Sequence, residues 1–250
     1  ADFLILHPAN ICGKILQNAK NLRHIQLLTA GYDKVDIVAA TELGITVATN
    51  GGANAWAVAE QAIALLLCLY RRLVQCDQSV RAGTWRKPIT GMNTSELAGK
   101  TIGLLGVGNI GGKVARRLEA FETRIIYHDR FKKSGDEGWE SVSLETLLRE
   151  SDVLSVHVPL TAETRGLIGA EQLAWMKPTA VIINTSRAEV FDEAALEDAL
   201  RHRRIAGAHD HRAGLDALGV AAARLGHDEA VDAFRHLMLT AQSRRHRGHG

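Results

Sequence analysis

The chain has little sulfur, little proline and few aromatics: three Cys, three Met, four Pro and 5% Phe, Trp and Tyr among 250 residues. Three cysteines exclude a disulfide-built scaffold. Cys12, Cys68 and Cys76 form no C-x-x-C pair, so they read as buried free thiols of a protein in the reducing cytoplasm. An excess of charge is also missing. The formal net charge is +2 with both signs interspersed, and nothing global calls for nucleic acid or an anionic membrane as partner. The longest uninterrupted apolar run, Ala62 to Tyr70, falls far short of the roughly 18 residues that span a bilayer. No stretch reads as a signal peptide.

What is present is apolar material, 46% of the residues, in a chain long enough for two modest units. From Phe3 to Thr49, short β-type runs (FLILH, HIQLL, ITVAT) alternate with helical stretches (ICGKILQNAKN, VDIVAATELG) in a βαβ rhythm. After the loop GGAN (51–54), residues 55–82 read as one long helix. It is too apolar for the surface and is expected to pack on both sides as a core or dimer helix. The stretch from Thr84 to Gly99 reads as a crossing. Five apolar runs follow: TIGLLG (101–106), RIIYHD (124–129), VLSVHV (153–158), AVIINT (180–185) and IAGA (205–208). Their hydrophobicity is continuous rather than alternating, as in a parallel sheet covered on both faces, so the expected fold is α/β with a doubly wound parallel sheet.

The run TIGLLG leads into GVGNIGGKVARRL, where Gly106, Gly108 and Gly111 form G-x-G-x-x-G between a strand and a helix. The first glycine permits the tight turn, the second admits a pyrophosphate to the backbone, and the third lets helix and strand close up. The next strand ends in Asp129, 18 residues beyond Gly111, where a carboxylate can accept both ribose hydroxyls. The expected cofactor is NAD rather than NADP, although Arg130 beside it leaves a 2′-phosphate open.

Together with these glycines, the stretches TAGYDKVD (29–36), GITVATNGGANAWAVAEQAIALLL (44–67), VHVPLTAETRGLIG (156–169) and MKPTAVIINTSRAEVFDEAAL (176–196) resemble the D-isomer-specific 2-hydroxyacid dehydrogenases, which include phosphoglycerate dehydrogenase and glyoxylate and hydroxypyruvate reductases. The match is continuous from about Asp2 to Gly207. The resemblance implies a Rossmann NAD domain beside a partial flavodoxin-like substrate domain: substrate domain 1–83, NAD domain 84–208, and an Ala/Arg/His-rich tail 209–250. It implies that Asn109 and Ile110 lie against the pyrophosphate, that Val158 and Pro159 line the adenosine side, and that Thr185 and Ser186 approach the nicotinamide. Asp210 would join the cofactor-binding residues, and Ala30 and Gly31 would offer N–H groups to a substrate carboxylate. Arg187 would be catalytic: a guanidinium fork matches a 2-oxo acid and polarises its carbonyl. Each position has a plain alternative, a strand end, a turn or a surface arginine, and His157 reads more readily as a strand-end histidine than as a catalyst. The implied partner is a small 2-oxo or 2-hydroxy acid, its selectivity set by loops near Tyr32 and Asn50; a homodimer is expected because the apolar helix 55–82 would be left exposed in a monomer.

After IAGA the resemblance stops. The family continues with an Asp, then a Glu followed by Pro, then a Pro-His segment that supplies the proton-transferring histidine; this chain has HDHRAGLDALGVAAARLG instead. Counting from Asp210 or Asp216, the fifth residue on is Leu215 or Ala221, and no proline follows Pro178. His227, His236, His246 and His249 lack the expected surroundings. His209 and His211 have no metal-ligand spacing, and RRHRGHG reads as a solvated basic end. We therefore expect an out-of-frame or replaced end, a start that lacks the first substrate-domain elements, and an NAD-dependent oxidoreductase with impaired turnover; the alternative is an inactive NAD-binding remnant.

Overall fold

The computed structural model describes residues 1–7, 9–84, 94–131, 138–210 and 221–222. The first three β-type runs form β1 (Phe3–Leu6), β2 (His24–Leu27) and β3 (Thr46–Ala48), an all-parallel sheet in the order β1-β2-β3. Helices α1 (Gly13–Asn18) and α2 (Ile37–Glu42) connect them. Asp36 opens α2 by accepting from the Ala39 N–H at 3.0 Å, satisfying one of the orphan donors of its first turn. Leu16, Ile25, Leu27, Ala40 and Ile45 bury against one another as this unit's own small core.

Residues 55–82 do not form one helix. They form α3 (Ala55–Arg71) and α4 (Leu73–Arg81), broken at Arg72, whose φ of 53° is left-handed. The C-terminal half of α3 is enclosed nearly all round, with Leu65, Leu66, Cys68, Leu69 and Tyr70 buried, whereas Trp56 near its start is 59% exposed. Packing on both sides therefore holds for only half of the helix. Cys12 also departs from expectation: it is exposed beside α1, while Cys68 is buried.

The second sheet contains β4 (Thr101–Leu105), β5 (Arg124–His128), β6 (Glu140–Ser141), β7 (Val153–Val156), β8 (Val181–Asn184), β9 (Gly207–Asp210) and β10 (Ala221–Ala222), in the order β10-β9-β8-β7-β4-β5-β6. All neighbours are parallel except β10 against β9. Helices α5 (Gly111–Leu118), α6 (Leu144–Glu150), α7 (Ala170–Trp175) and α8 (Glu193–Arg201) cover it. Every residue of β7 and β8 is buried, which is why these runs carry no polar alternation. Two cores result. One lies between the sheet, α3 and α5; the other lies between the sheet, α6, α7 and α8. The last strand is displaced from the apolar run IAGA: Ile205 is fully buried before the strand starts, and pairing with β8 carries β9 on to Asp210. Strands β6 and β10 had no counterpart among the expected runs.

The chain starts this sheet at β4 and steps out to β5 on one side and β7 on the other, so the connections after β4 and after β7 diverge at the sheet's switch point. That divergence opens a crevice at the carboxyl ends of the strands.

Gly103, in the middle of β4, sets how closely α6 can approach. A Cβ there would stand 1.9 Å from Ser151 Oγ and 3.2 Å from Leu147 Cδ1. Gly103→Ala is expected to destabilise the chain by about 1–3 kcal/mol, the usual cost of overpacking a filled core. Denaturant unfolding of Gly103→Ala, with and without Ser151→Ala, measures this; the second change should restore part of the loss.

Candidate active site

Four loops from the carboxyl ends of parallel strands converge on one cavity of about 310 Å³. They follow β2, β4, β7 and β8. Its wall includes Ala30, Gly31, Tyr32 and Asp33 from the first, Ile110 from the second, His157, Val158 and Pro159 from the third, and Thr185, Ser186 and Arg187 from the fourth.

The loop after β4 is built by its glycines. Gly106 has φ +92°, a conformation that a side chain strains. A Cβ on Gly111 would stand 2.1 Å from the Gly106 carbonyl oxygen, so only glycine lets α5 start this close to the strand it follows. Around Gly108 the same construction meets open space. The N–H groups of Gly108, Asn109 and Ile110 have no protein acceptor among the described residues, and Ile110 gives α5 no side-chain cap. A row of free donors at a helix start, beside a glycine that leaves the approach clear, is a fit for an anionic pyrophosphate. Asp129 accepts from the Val107 N–H at 2.8 Å through one oxygen and from the Phe131 N–H at 2.9 Å through the other. Each carboxylate oxygen has a further lone pair, so it holds the loop and still has capacity for a hydroxyl. Arg130 is paired with Glu163 at 2.5 Å, on the exposed rim.

The loop after β8 is organised by Asn184, which is 2% exposed. Its Oδ1 accepts from the Ser186 N–H (3.0 Å) and the Ser186 hydroxyl (2.8 Å), and its Nδ2 donates to the Arg187 carbonyl (3.0 Å). This clasp turns the chain so that Arg187 reaches across the cavity. Its Nε and Nη2 donate to Asp33 Oδ1 at 3.1 and 2.9 Å, and its Nη1 donates to the Ser186 carbonyl at 3.0 Å. Burial by itself would raise the Asp33 carboxyl, but the guanidinium offsets this and holds it below its ordinary value.

His157 lies on the cavity wall, with Ser155 Oγ 2.8 Å from its Nε2 and Thr185 Oγ1 3.5 Å from its Nδ1. Burial of its ring pushes its pKa down to about 4. It is a neutral imidazole at pH 7, in keeping with a strand-end histidine.

Of the residues singled out from sequence, Ala30, Gly31, Ile110, Val158, Pro159, Thr185, Ser186 and Arg187 share the cavity. Gly106, Gly108, Gly111 and Asp129 form the adjoining crevice; a Cβ on Gly106 would lie 3.0 Å from Val158 Cγ1. Asn109 faces the Gly51–Gly52 turn, its Nδ2 3.2 Å from where a Gly52 Cβ would be. Asp210 ends β9 in register with Asn184. Asp216, His211, His227, His236, His246 and His249 lie outside the described residues. Asp33 and Asn184 were not singled out, although Asp33 stands inside TAGYD. Tyr32, Asn54 and Val58 also line the cavity. Among the described residues no three His, Cys, Asp or Glu side chains gather as a metal ion would require, and no helix is long and apolar enough to cross a membrane.

Residues 63–216 match the sequence model of the D-isomer specific 2-hydroxyacid dehydrogenase NAD-binding domain. The chain belongs to the D-isomer specific 2-hydroxyacid dehydrogenase family. Glyoxylate reductase of Aeropyrum pernix is 46% identical over 202 residues, which are 78% of this chain and 60% of that protein. The chain thus spans about three-fifths of the length of this relative. Among solved structures, an acyclic imino acid reductase in complex with NADPH and D-Arg has a TM-score of 0.79 at 33% identity, covering 83% of this chain and 67% of that one. D-lactate dehydrogenase of Aquifex aeolicus, complexed with NAD and lactic acid, has a TM-score of 0.80 at 25% identity, covering 99% and 84%. The seven-stranded sheet of this family member is its Rossmann unit, and the glycine loop and Asp129 are where its residues fit NAD.

Neutral burial of His157 has a pH consequence. Its folded pKa of about 4 lies below the ordinary 6.5, so the unfolded chain binds the proton more readily. The associated stability is complete above pH 6.5 and is lost as pH falls toward 4, by about 2–3 kcal/mol. Urea unfolding of wild type and His157→Gln between pH 7.5 and 4 is expected to show a shallower acid loss in the variant.

Proposed function

We propose that the cavity carries hydride transfer between NAD and a small 2-hydroxy or 2-oxo acid. The observation that carries this reading is Arg187: a guanidinium fixed over the same cavity that the glycine loop and the Thr185–Ser186 turn border. Bound in the crevice, NAD supplies the hydride acceptor or donor. The chain's own groups hold and orient. Gly108, Asn109 and Ile110 present N–H groups to the pyrophosphate, Asp129 receives the ribose hydroxyls, and Val158 and Pro159 wall the adenosine side. Thr185 and Ser186 lie toward the nicotinamide, and Asp210 belongs to the cofactor side. Ala30 and Gly31 offer N–H groups to the substrate carboxylate, while Arg187 draws electron density from the neighbouring oxygen. The division into 1–83, 84–208 and 209–250 is part of this reading, although α3 buries its side chains in the core of the Rossmann sheet.

NAD is preferred to NADP because Asp129 repels a 2′-phosphate and Arg130 is already occupied by Glu163. Asp129→Ala is expected to weaken NADH more than NADPH in a fluorescence titration. Equal losses would mean that Asp129 acts only through the loop N–H groups it binds.

Turnover is expected to be slow. The titratable side chains on the described cavity wall are Tyr32, Asp33, His157 and Arg187, and His157 is too weakly basic to be a proton donor at pH 7. Lack of a positioned general acid commonly costs a factor of roughly 10² to 10⁴. With NADH and a panel of glyoxylate, hydroxypyruvate and pyruvate, weak NADH loss is expected. Arg187→Ala should abolish it and Arg187→Lys should restore little, since an ammonium lacks the fork. Robust turnover with a bell-shaped pH profile would overturn the impairment.

We also propose a cytoplasmic homodimer, supported by free thiols and by Trp56, Leu73 and Val80, apolar side chains more than half exposed on α3 and α4. Light scattering at micromolar concentration is expected to give twice the chain mass.

A further inference from the structure

Resting on the 2-oxo acid reading of the cavity, we infer that Asp33 is a positioning residue for Arg187: it occupies one edge of the guanidinium so that the remaining donors are presented to the substrate carboxylate. The donor count supports this. A guanidinium has five N–H bonds in a rigid plane. Asp33 Oδ1 takes the Nε hydrogen and one Nη2 hydrogen, and the Ser186 carbonyl takes one from Nη1. Two hydrogens remain, one on each terminal nitrogen, and a carboxylate bridges such a pair with two parallel bonds.

The backbone under the pair is shaped for it. A Cβ on Gly31 would lie 2.1 Å from Arg187 Nη2 and 2.9 Å from Asp33 Oδ1, so the ion pair rests directly on the glycine that the proposed site places beside the substrate. The contact also spans 154 residues of sequence, joining the loop after β2 to the loop after β8 and hence one sheet to the other. Attraction for a substrate anion gives Asp33 no reason to be here. A second carboxylate beside an anion-binding arginine repels the anion, and a site selected only for positive potential would do without it. Orientation is what Asp33 contributes: it removes rotameric freedom from a long side chain before the substrate arrives.

The test uses the full chain saturated with NADH and titrated calorimetrically with oxalate, an unreactive dicarboxylate of the same shape as a 2-oxo acid. Asp33→Ala and Gly31→Ala are expected to weaken oxalate at least tenfold. Asp33→Asn should weaken it less than threefold, because the amide oxygen still accepts the same two N–H groups. Unchanged or tighter binding to Asp33→Ala, or equal losses in Asp33→Asn and Asp33→Ala, would overturn the inference. NADH fluorescence reports whether each variant folds.

A second readout does not depend on turnover or on any variant's affinity. The Arg187 Nε–H resonance, assigned by its loss in Arg187→Lys, should exchange slowly in wild type and persist at saturating oxalate. Rapid exchange, or loss of that resonance on adding oxalate, would overturn the inference. If wild type binds no oxalate while the Nε–H stays protected, the pin stands and the substrate reading fails, which separates the two.

Discussion

The close approach of α5 to β4 is the constraint on which the cofactor side depends. With any side chain at Gly111 the helix would have to withdraw from the Gly106 carbonyl, and the free N–H groups of Gly108, Asn109 and Ile110 would no longer sit at the mouth of the crevice. The turn is fixed from outside as well. Asp129, at the end of the neighbouring strand's run, accepts the Val107 N–H and so ties the loop to β5. Asp129 is thus part of the scaffold that positions the free N–H groups of the loop.

The opposite wall follows a different rule. There the backbone is set by a buried amide, Asn184, and the working group is a charged side chain carried on the turn that Asn184 makes. Burying Asn184 costs little because its oxygen and nitrogen both find backbone partners, whereas leaving them unpaired would cost about 1–3 kcal/mol each. Rigidity at Asn184 and Asp33 converts a flexible arginine into a fixed fork. The site therefore combines backbone donors at the glycine loop with an oriented cation on the opposite wall.

The parts of the fold most legible in the sequence were those dictated by solvent exclusion. VLSV and VIIN have no polar alternation because both faces of β7 and β8 are covered, and the glycine spacing announced the turn because no other residue tolerates it. Most residues named for the site sit at the ends of such strands. The break at Arg72 was not. YRRLV contains neither Gly nor Pro, and a left-handed arginine costs roughly 1–2 kcal/mol that the surroundings of this buried residue must offset. The start of β9 was misplaced because Ile205 is buried without being paired, and apolarity records burial rather than pairing.

The sequence by itself determined the period of the elements, the glycine turn, the acidic residue beyond it and the arginine on the NTSR turn, since each depends on residues within one strand-loop-helix unit. Only the tertiary structure decided what Arg187 meets. Its partner lies on the other sheet, 154 positions away, and a single sequence holds no local periodicity or spacing that encodes such a distance. The same is true of His157: whether an imidazole titrates near 6.5 or near 4 is set by the protein that surrounds it, and that enclosure exists only once β4, β7 and α5 have packed.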